Sequence, residues 1–143
     1  MQNLSTNQPD WNYYGAFLDD ASKEKLLRYV KQYVNVPEDW KIFCDHMTII
    51  YNDGSENAQN WAKSAQEWLN STHKLIVTNI GVSDRAIAVK VGGMQTNNSI
   101  PHITVAVAPG AKPVESNQIT EWTPTDGMFY VQATVDVRWK RAR

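Results

Sequence analysis

Two segments of the chain carry one pattern. Residues 46–51 read HMTIIY and residues 102–107 read HITVAV: a histidine, an apolar residue, a threonine, then a short aliphatic run. Runs this rich in β-branched residues favour strands. In a strand, successive side chains point to opposite faces. His46 and Thr48 therefore share one face and Met47 and Ile49 the other. His102, Thr104 and Ala106 likewise share a face, opposite Ile103, Val105 and Val107. Each strand must bury its aliphatic face in a core and leave its polar pair on the other side. Few folds satisfy that demand twice from distant parts of a short chain.

The rest of the sequence supplies a frame. Residues 13–18 (YYGAFL) read as a first strand. Residues 19–34 read as a helix, with Ser22 as its cap, Leu26, Leu27, Val30 and Tyr33 on one stripe, and Pro37 beyond its end. Residues 55–70 place Ala58, Trp61, Ala62, Ala65, Trp68 and Leu69 on one stripe and form a second helix. Residues 74–82 and 86–91 are paired strands around the turn Ser83–Asp84–Arg85. Residues 92–101 are a loop by composition. Residues 109–117 are a loop that opens into a short helix at Ser116, with Ser116 and Asn117 as caps. Residues 128–137 are the last strand. Helices and hairpin-like strands in one chain give an α+β fold with a largely antiparallel sheet. Residues 1–11 are expected to be a flexible leader, 12–138 a single domain and 139–143 a basic tail.

A chain of 143 residues with 42% hydrophobic and 20% charged residues is long and apolar enough for one packed domain. Its formal net charge of −1 argues against gripping long nucleic acid through many phosphates. A small ligand or a strand end fits better. The single cysteine, Cys44, cannot form an internal disulfide, which fits a reducing compartment. With no apolar signal core and no membrane-length apolar run, the expected location is the cytoplasm, and the expected state a monomer with no membrane partner.

Two imidazoles and two hydroxyls lining one cleft suit phosphodiester chemistry. One neutral imidazole takes a proton from the attacking oxygen, and the other, protonated, donates to the leaving oxygen. The hydroxyls donate to non-bridging oxygens, where charge builds. No metal or other cofactor is needed. Two histidines make a poor metal cage, and Asp45 is expected to point away from His46 in a regular strand. Against this stands the ordinary reading, in which a strand histidine is structural. The third histidine, His73, is expected to be a solvated loop residue.

At these residues the chain resembles the two-histidine (2H), or LigT-like, phosphoesterase superfamily, whose signature is two H-x-[ST]-x motifs with apolar flanks. Here they are HMTI and HITV, 56 residues apart. The stretch PHITVAVAPGAKPVESNQI is most similar to the cyclic phosphodiesterase part of fungal and plant tRNA ligases, and the likeness covers about residues 13–137. The resemblance implies a LigT-like fold of two pseudo-symmetric lobes with antiparallel sheets around a central cleft. It implies metal-independent cleavage of 2′,3′-cyclic phosphates, 2′–5′ linkages or short oligonucleotides. His46 and His102 would be the acid and base, in an order the sequence leaves open, and Thr48 and Thr104 would hold the phosphate. No ligase or kinase segment accompanies the motifs, which leaves a stand-alone esterase. Alternatives are a phage-type nuclease that degrades cyclic oligonucleotide immune signals, and a nucleotide-binding module that sequesters its ligand uncleaved.

Other residues carry weaker expectations. Tyr13, Tyr14 and Trp11 could stack on a base, although packing explains them as well. Lys112 could reach a phosphate or be a solvated loop lysine. Cys44 reads as a small buried hydrophobe rather than a nucleophile, and Trp139 with its basic neighbours reads as a frayed tail.

Overall fold

A computed structural model describes residues 10–140 of the chain; residues 1–9 of the expected leader and 141–143 of the expected tail lie outside them. In order, the elements are β1 (Trp11–Leu18), α1 (Asp20–Lys31), β2 (Lys41–Ile42), β3 (His46–Tyr51), α2 (Glu56–Glu67), β4 (Thr72–Val82), β5 (Ala86–Gly92), β6 (His102–Val107), a 3-10 helix (Pro113–Gln118), β7 (Trp122–Pro124) and β8 (Tyr130–Trp139). The two motif strands, β3 and β6, start and stop where the alternation places them. No helix among the described residues is long and apolar enough to cross a membrane.

All strand pairings are antiparallel. β6 pairs with β3, β3 with β1, β1 with β8, β8 with β4, β4 with β5, and β5 with β6 again. The sheet therefore returns to its start and forms a small barrel-like ring, with β2 and β7 as short additions to β6 and β4. Hydrogen bonding joins the strands in one sheet, so the structure does not divide into two separate sheets. Closure of the ring hides the unpaired edges that an open sheet would present. The two ends of the described chain meet on it: Trp11 pairs with Trp139, and the Lys140 N–H donates to the Asp10 carbonyl at 2.7 Å. Trp11 and Trp139 are thus strand residues, not parts of a leader and a tail.

The core forms where the aliphatic faces meet the helices. Met47, Ile49, Ile103, Val105, Val89, Val131 and Val135 pack with Leu26 and Val30 of α1 and Ala58 and Ala65 of α2. Asp19, not Ser22, caps α1: its carboxylate accepts from the Ser22 N–H at 2.7 Å. Ser22 is buried and its hydroxyl accepts the Gln132 N–H, tying α1 to β8. Tyr29 replaces Tyr33 on the buried stripe; Tyr33 is exposed. Ser55 caps α2. His73 is not in a loop but in β4, half-buried, with Nε2 2.7 Å from the Ser71 hydroxyl.

A break in register shapes the cleft. β2 pairs with β6 from Lys41 opposite Val107, and the same register carries on through Phe43 and Cys44, whose N–H groups donate to the Val105 and Thr104 carbonyls. Beyond it, Met47 stands opposite Ile103. Two residues, Asp45 and His46, are therefore extra on this side. Cys44 takes up the turn with a left-handed φ of +47°. Such a bulge bends a strand and re-aims the side chains beside it. From the other side β1 holds the bulged segment, with the Leu18 N–H donating to the Asp45 carbonyl and Phe17 paired to His46.

Candidate active site

The alternation of β3 and β6 puts Met47 and Ile103 in the core and His46, Thr48, His102 and Thr104 on the other face, half-buried. They line one cleft of about 480 Å³ together with Tyr13, Phe43 and Tyr51. That volume is within the usual range for small-ligand sites.

The bulge corrects one expectation directly. Asp45 does not point away from His46; its carboxylate accepts from His46 Nδ1 at 3.1 Å, and Lys23 of α1 holds the same carboxylate at 3.1 Å. A carboxylate can only accept, so Nδ1 carries the hydrogen and Nε2 is left free to titrate. Nε2 faces the Thr48 hydroxyl at 3.2 Å. Tyr13 and Phe17 stack on the ring at centroid distances of 5.0 and 4.9 Å. Arg138 lies over Phe17, 3.7 Å from its centroid. Gly15 lies between these aromatics, and a Cβ there would stand 3.1 Å from the Met47 carbonyl oxygen and 3.2 Å from His46 Cδ2. The glycine makes room for the imidazole.

Burial pushes the His46 pKa below the usual imidazole value; Asp45 works the other way, and Arg138 and His102 add to the lowering. Burial would raise the Asp45 carboxyl, but Lys23 and His46 outweigh it and pull it down. Both directions agree with a neutral His46 beside an ionised Asp45.

His102 is held differently. Its Nδ1 donates to the Ile100 carbonyl at 2.7 Å, which leaves Nε2 free for another partner. Nε2 is 3.1 Å from the Ser116 hydroxyl, which is 2.8 Å from the Thr104 hydroxyl and donates to the Pro113 carbonyl at 2.8 Å. Ser116, 1% exposed, is inside the 3-10 helix and does not cap a helix starting at that position. The helix itself is pinned over β6: Glu115 accepts from Arg85 at 2.8 Å and from the Lys112 N–H at 2.8 Å.

Of the weaker expectations, Tyr13 lines the cleft and Tyr14 does not. Tyr14 is 6% exposed, in the core beside Trp11. β1 turns Tyr13 toward His46, so its neighbour in sequence faces away. Lys112 is exposed near the 3-10 helix and is not among the residues lining the cleft. Tyr51 lines it instead, 58% exposed. Cys44 is buried, and burial pushes its thiol up to about 12, so it is no nucleophile at neutral pH. Asp45 and Ser116 were the residues that sequence reasoning missed as partners. Adjacency to a histidine was the only signal for the first, and a serine shortly after the second motif the only signal for the second. Among the described residues no three His, Cys, Asp or Glu side chains converge as a metal site would require.

A family model described as the fungal tRNA ligase phosphodiesterase domain matches residues 20–136, which include both histidine strands. The chain belongs to this family. The resemblance drawn from the two motifs is borne out, and membership points to cyclic-phosphodiesterase-type chemistry on RNA. The crystal structure of a fungal RNA kinase aligns with this phosphodiesterase domain at a TM-score of 0.67 over 93% of the chain, with 16% identity. At that identity the likeness speaks for the fold alone. The domain spans 46% of that chain. No curated protein matches the sequence.

Proposed function

We propose that this domain is a metal-independent 2H phosphodiesterase that hydrolyses a phosphodiester in RNA or a short oligonucleotide, including a 2′,3′-cyclic phosphate end. One observation carries the reading: His46 and His102 line one cleft, each with Nδ1 committed to an acceptor and Nε2 facing a hydroxyl. The depressed pKa of His46 favours it as the base and leaves His102 as the acid. His46 Nε2 takes a proton from a water as the water oxygen bonds to phosphorus. The bond from phosphorus to the ester oxygen breaks, and that oxygen receives the proton from His102 Nε2. The products are a phosphomonoester and an alcohol, which for a cyclic phosphate stay on one ribose. Thr48 and Thr104 exchange their present partners for the non-bridging oxygens. We read β3 and β6, meeting at Met47 and Ile103, as the equivalent halves around which two pseudo-symmetric lobes are arranged.

The test is product analysis in EDTA with nucleoside 2′,3′-cyclic phosphates, 2′–5′ and 3′–5′ oligoadenylates and cyclic oligonucleotides. Cleavage by wild type should fall about 10²–10⁴-fold in His46→Ala and in His102→Ala, the usual worth of a general acid or base. Both variants should keep the wild-type circular dichroism and a cooperative melting transition. Full activity in either variant would sink the mechanism. Cleavage of the cyclic oligonucleotides alone would favour the signal-degrading alternative, and recovery of bound ligand intact would favour sequestration.

A further inference from the structure

We propose that Ser116 is a positioning residue for the acid of the reaction: its hydroxyl holds the His102 imidazole both before and after the proton leaves, by turning between the Pro113 carbonyl and His102 Nε2. The proposal rests on the phosphodiesterase reading above and adds one residue to that site.

Ser116 has one hydroxyl hydrogen and three polar neighbours. The Pro113 carbonyl and the Thr104 hydroxyl each lie 2.8 Å from its Oγ, and His102 Nε2 lies 3.1 Å away. A carbonyl can only accept, so the hydrogen goes to Pro113, three residues back, as serines inside helices often bond. Oγ then offers only lone pairs to the other two. Thr104 must donate to it, and so must His102 Nε2. His102 Nδ1 already donates to the Ile100 carbonyl. The acceptors around the ring therefore suit an imidazole with hydrogen on both nitrogens, the form from which an acid donates.

A fixed acceptor would suit that form alone. When the bond from phosphorus to the leaving oxygen breaks, its electron pair stays on that oxygen, which takes the Nε2 hydrogen. Nε2 then has a lone pair facing the lone pairs of Ser116. A hydroxyl can answer that change and a carbonyl cannot. By rotating about Cβ–Oγ, Ser116 turns its hydrogen from the Pro113 carbonyl to Nε2, and no proton changes owner in this step. The Thr104 hydroxyl, 3.4 Å from the Pro113 carbonyl, can donate there once the phosphate has left.

The surroundings make the hydroxyl necessary. Ser116 is buried, so an unmatched Nε2 on that side would bear a desolvation cost. The backbone is fixed while the hydroxyl turns: the Ile119 N–H donates to the Ser116 carbonyl at 3.2 Å, and the Arg85–Glu115 pair clasps the 3-10 helix.

The experiment compares two leaving groups in EDTA. In adenosine 2′,3′-cyclic phosphate the leaving ribose oxygen needs a proton; in uridine 3′-(p-nitrophenyl) phosphate the nitrophenolate departs without one. In Ser116→Ala, kcat for the cyclic phosphate should fall roughly tenfold with KM little changed, as loss of one hydrogen bond to the acid implies. The nitrophenyl ester should be cleaved at nearly the wild-type rate. Ser116→Cys keeps the volume with only a weak S–H, and should show the same selective loss if Ala lets the helix collapse. His102→Ala should show it more strongly, whereas His46→Ala should slow both substrates. Equal losses on both substrates in the Ser116 variants, or no loss, overturn the role of Ser116 and leave the phosphodiesterase reading standing. If wild type cleaves only the cyclic phosphate, a fall in kcat supports the role and a rise in KM alone overturns it. Cleavage of neither substrate by wild type overturns both readings.

Discussion

His46 and His102 each hold Nδ1 against an acceptor, yet their surroundings set them apart. His46 is buried among aromatics with a carboxylate at its back, whereas His102 rests on a carbonyl and a serine. Because the His46 pKa lies below the usual value of about 6.5, activity should persist as pH falls to that value and be lost only below it. The same neutral imidazole contributes stability above that value and loses it as pH falls through the depressed pKa. Asp45 is the group that raises His46, so Asp45→Asn should move the acidic limb of the kcat/KM profile to still lower pH and also reduce the plateau. A limb shifted upward would contradict the assignment. Gly15→Ala tests the space rather than the charge. Its neighbours must yield by a few tenths of an ångström, and kcat should fall on the order of tenfold, since about 1 Å of misplacement costs about 10²-fold. At this scale strand periodicity anticipated that His46, Thr48, His102 and Thr104 share the face that lines the cleft. It hid Asp45 and Ser116, because their roles depend on a bulge and on a helix docking that no local pattern encodes.

The long elements were legible, and the short ones were not. β3, β6 and both amphipathic helices follow from spacing, because each buries one face. β2 and β7, two and three residues long, have no periodicity to read and exist only through their partners β6 and β4. The cap of α1 was misplaced by three residues because two aspartates and a serine compete there, and tertiary bonding of Ser22 to β8 decides among them. The bulge ahead of β3 is the element on which the site depends. Its left-handed Cys44 is a conformation β-branched residues resist. Cys44→Val should therefore cost about 1–3 kcal/mol in denaturant unfolding, and turnover should fall with it as Asp45 and His46 lose their aim. Wild-type stability in that variant would show that the bulge is not held by this residue.

At the level of the whole molecule, expectation and structure agree on an antiparallel α+β domain with the motif strands adjacent. What periodicity could not disclose is that the sheet closes on itself, since closure depends on long-range pairing of β5 with β6. One consequence concerns the ends. Asp10 and Lys140 are hydrogen-bonded neighbours, so a short peptide can join them without straining β1 or β8. Within residues 10–140 the order of strands is circular, so the break between β8 and β1 can be moved. With Lys140 linked to Asp10 and the chain reopened between Gly127 and Met128, where Met128 is 81% exposed, permuted residues 10–140 should fold and keep the parent activity, with thermal melting and turnover as the readouts. Where the polypeptide starts would then be incidental to the chemistry, which depends on a circular order of strands and on no particular first residue.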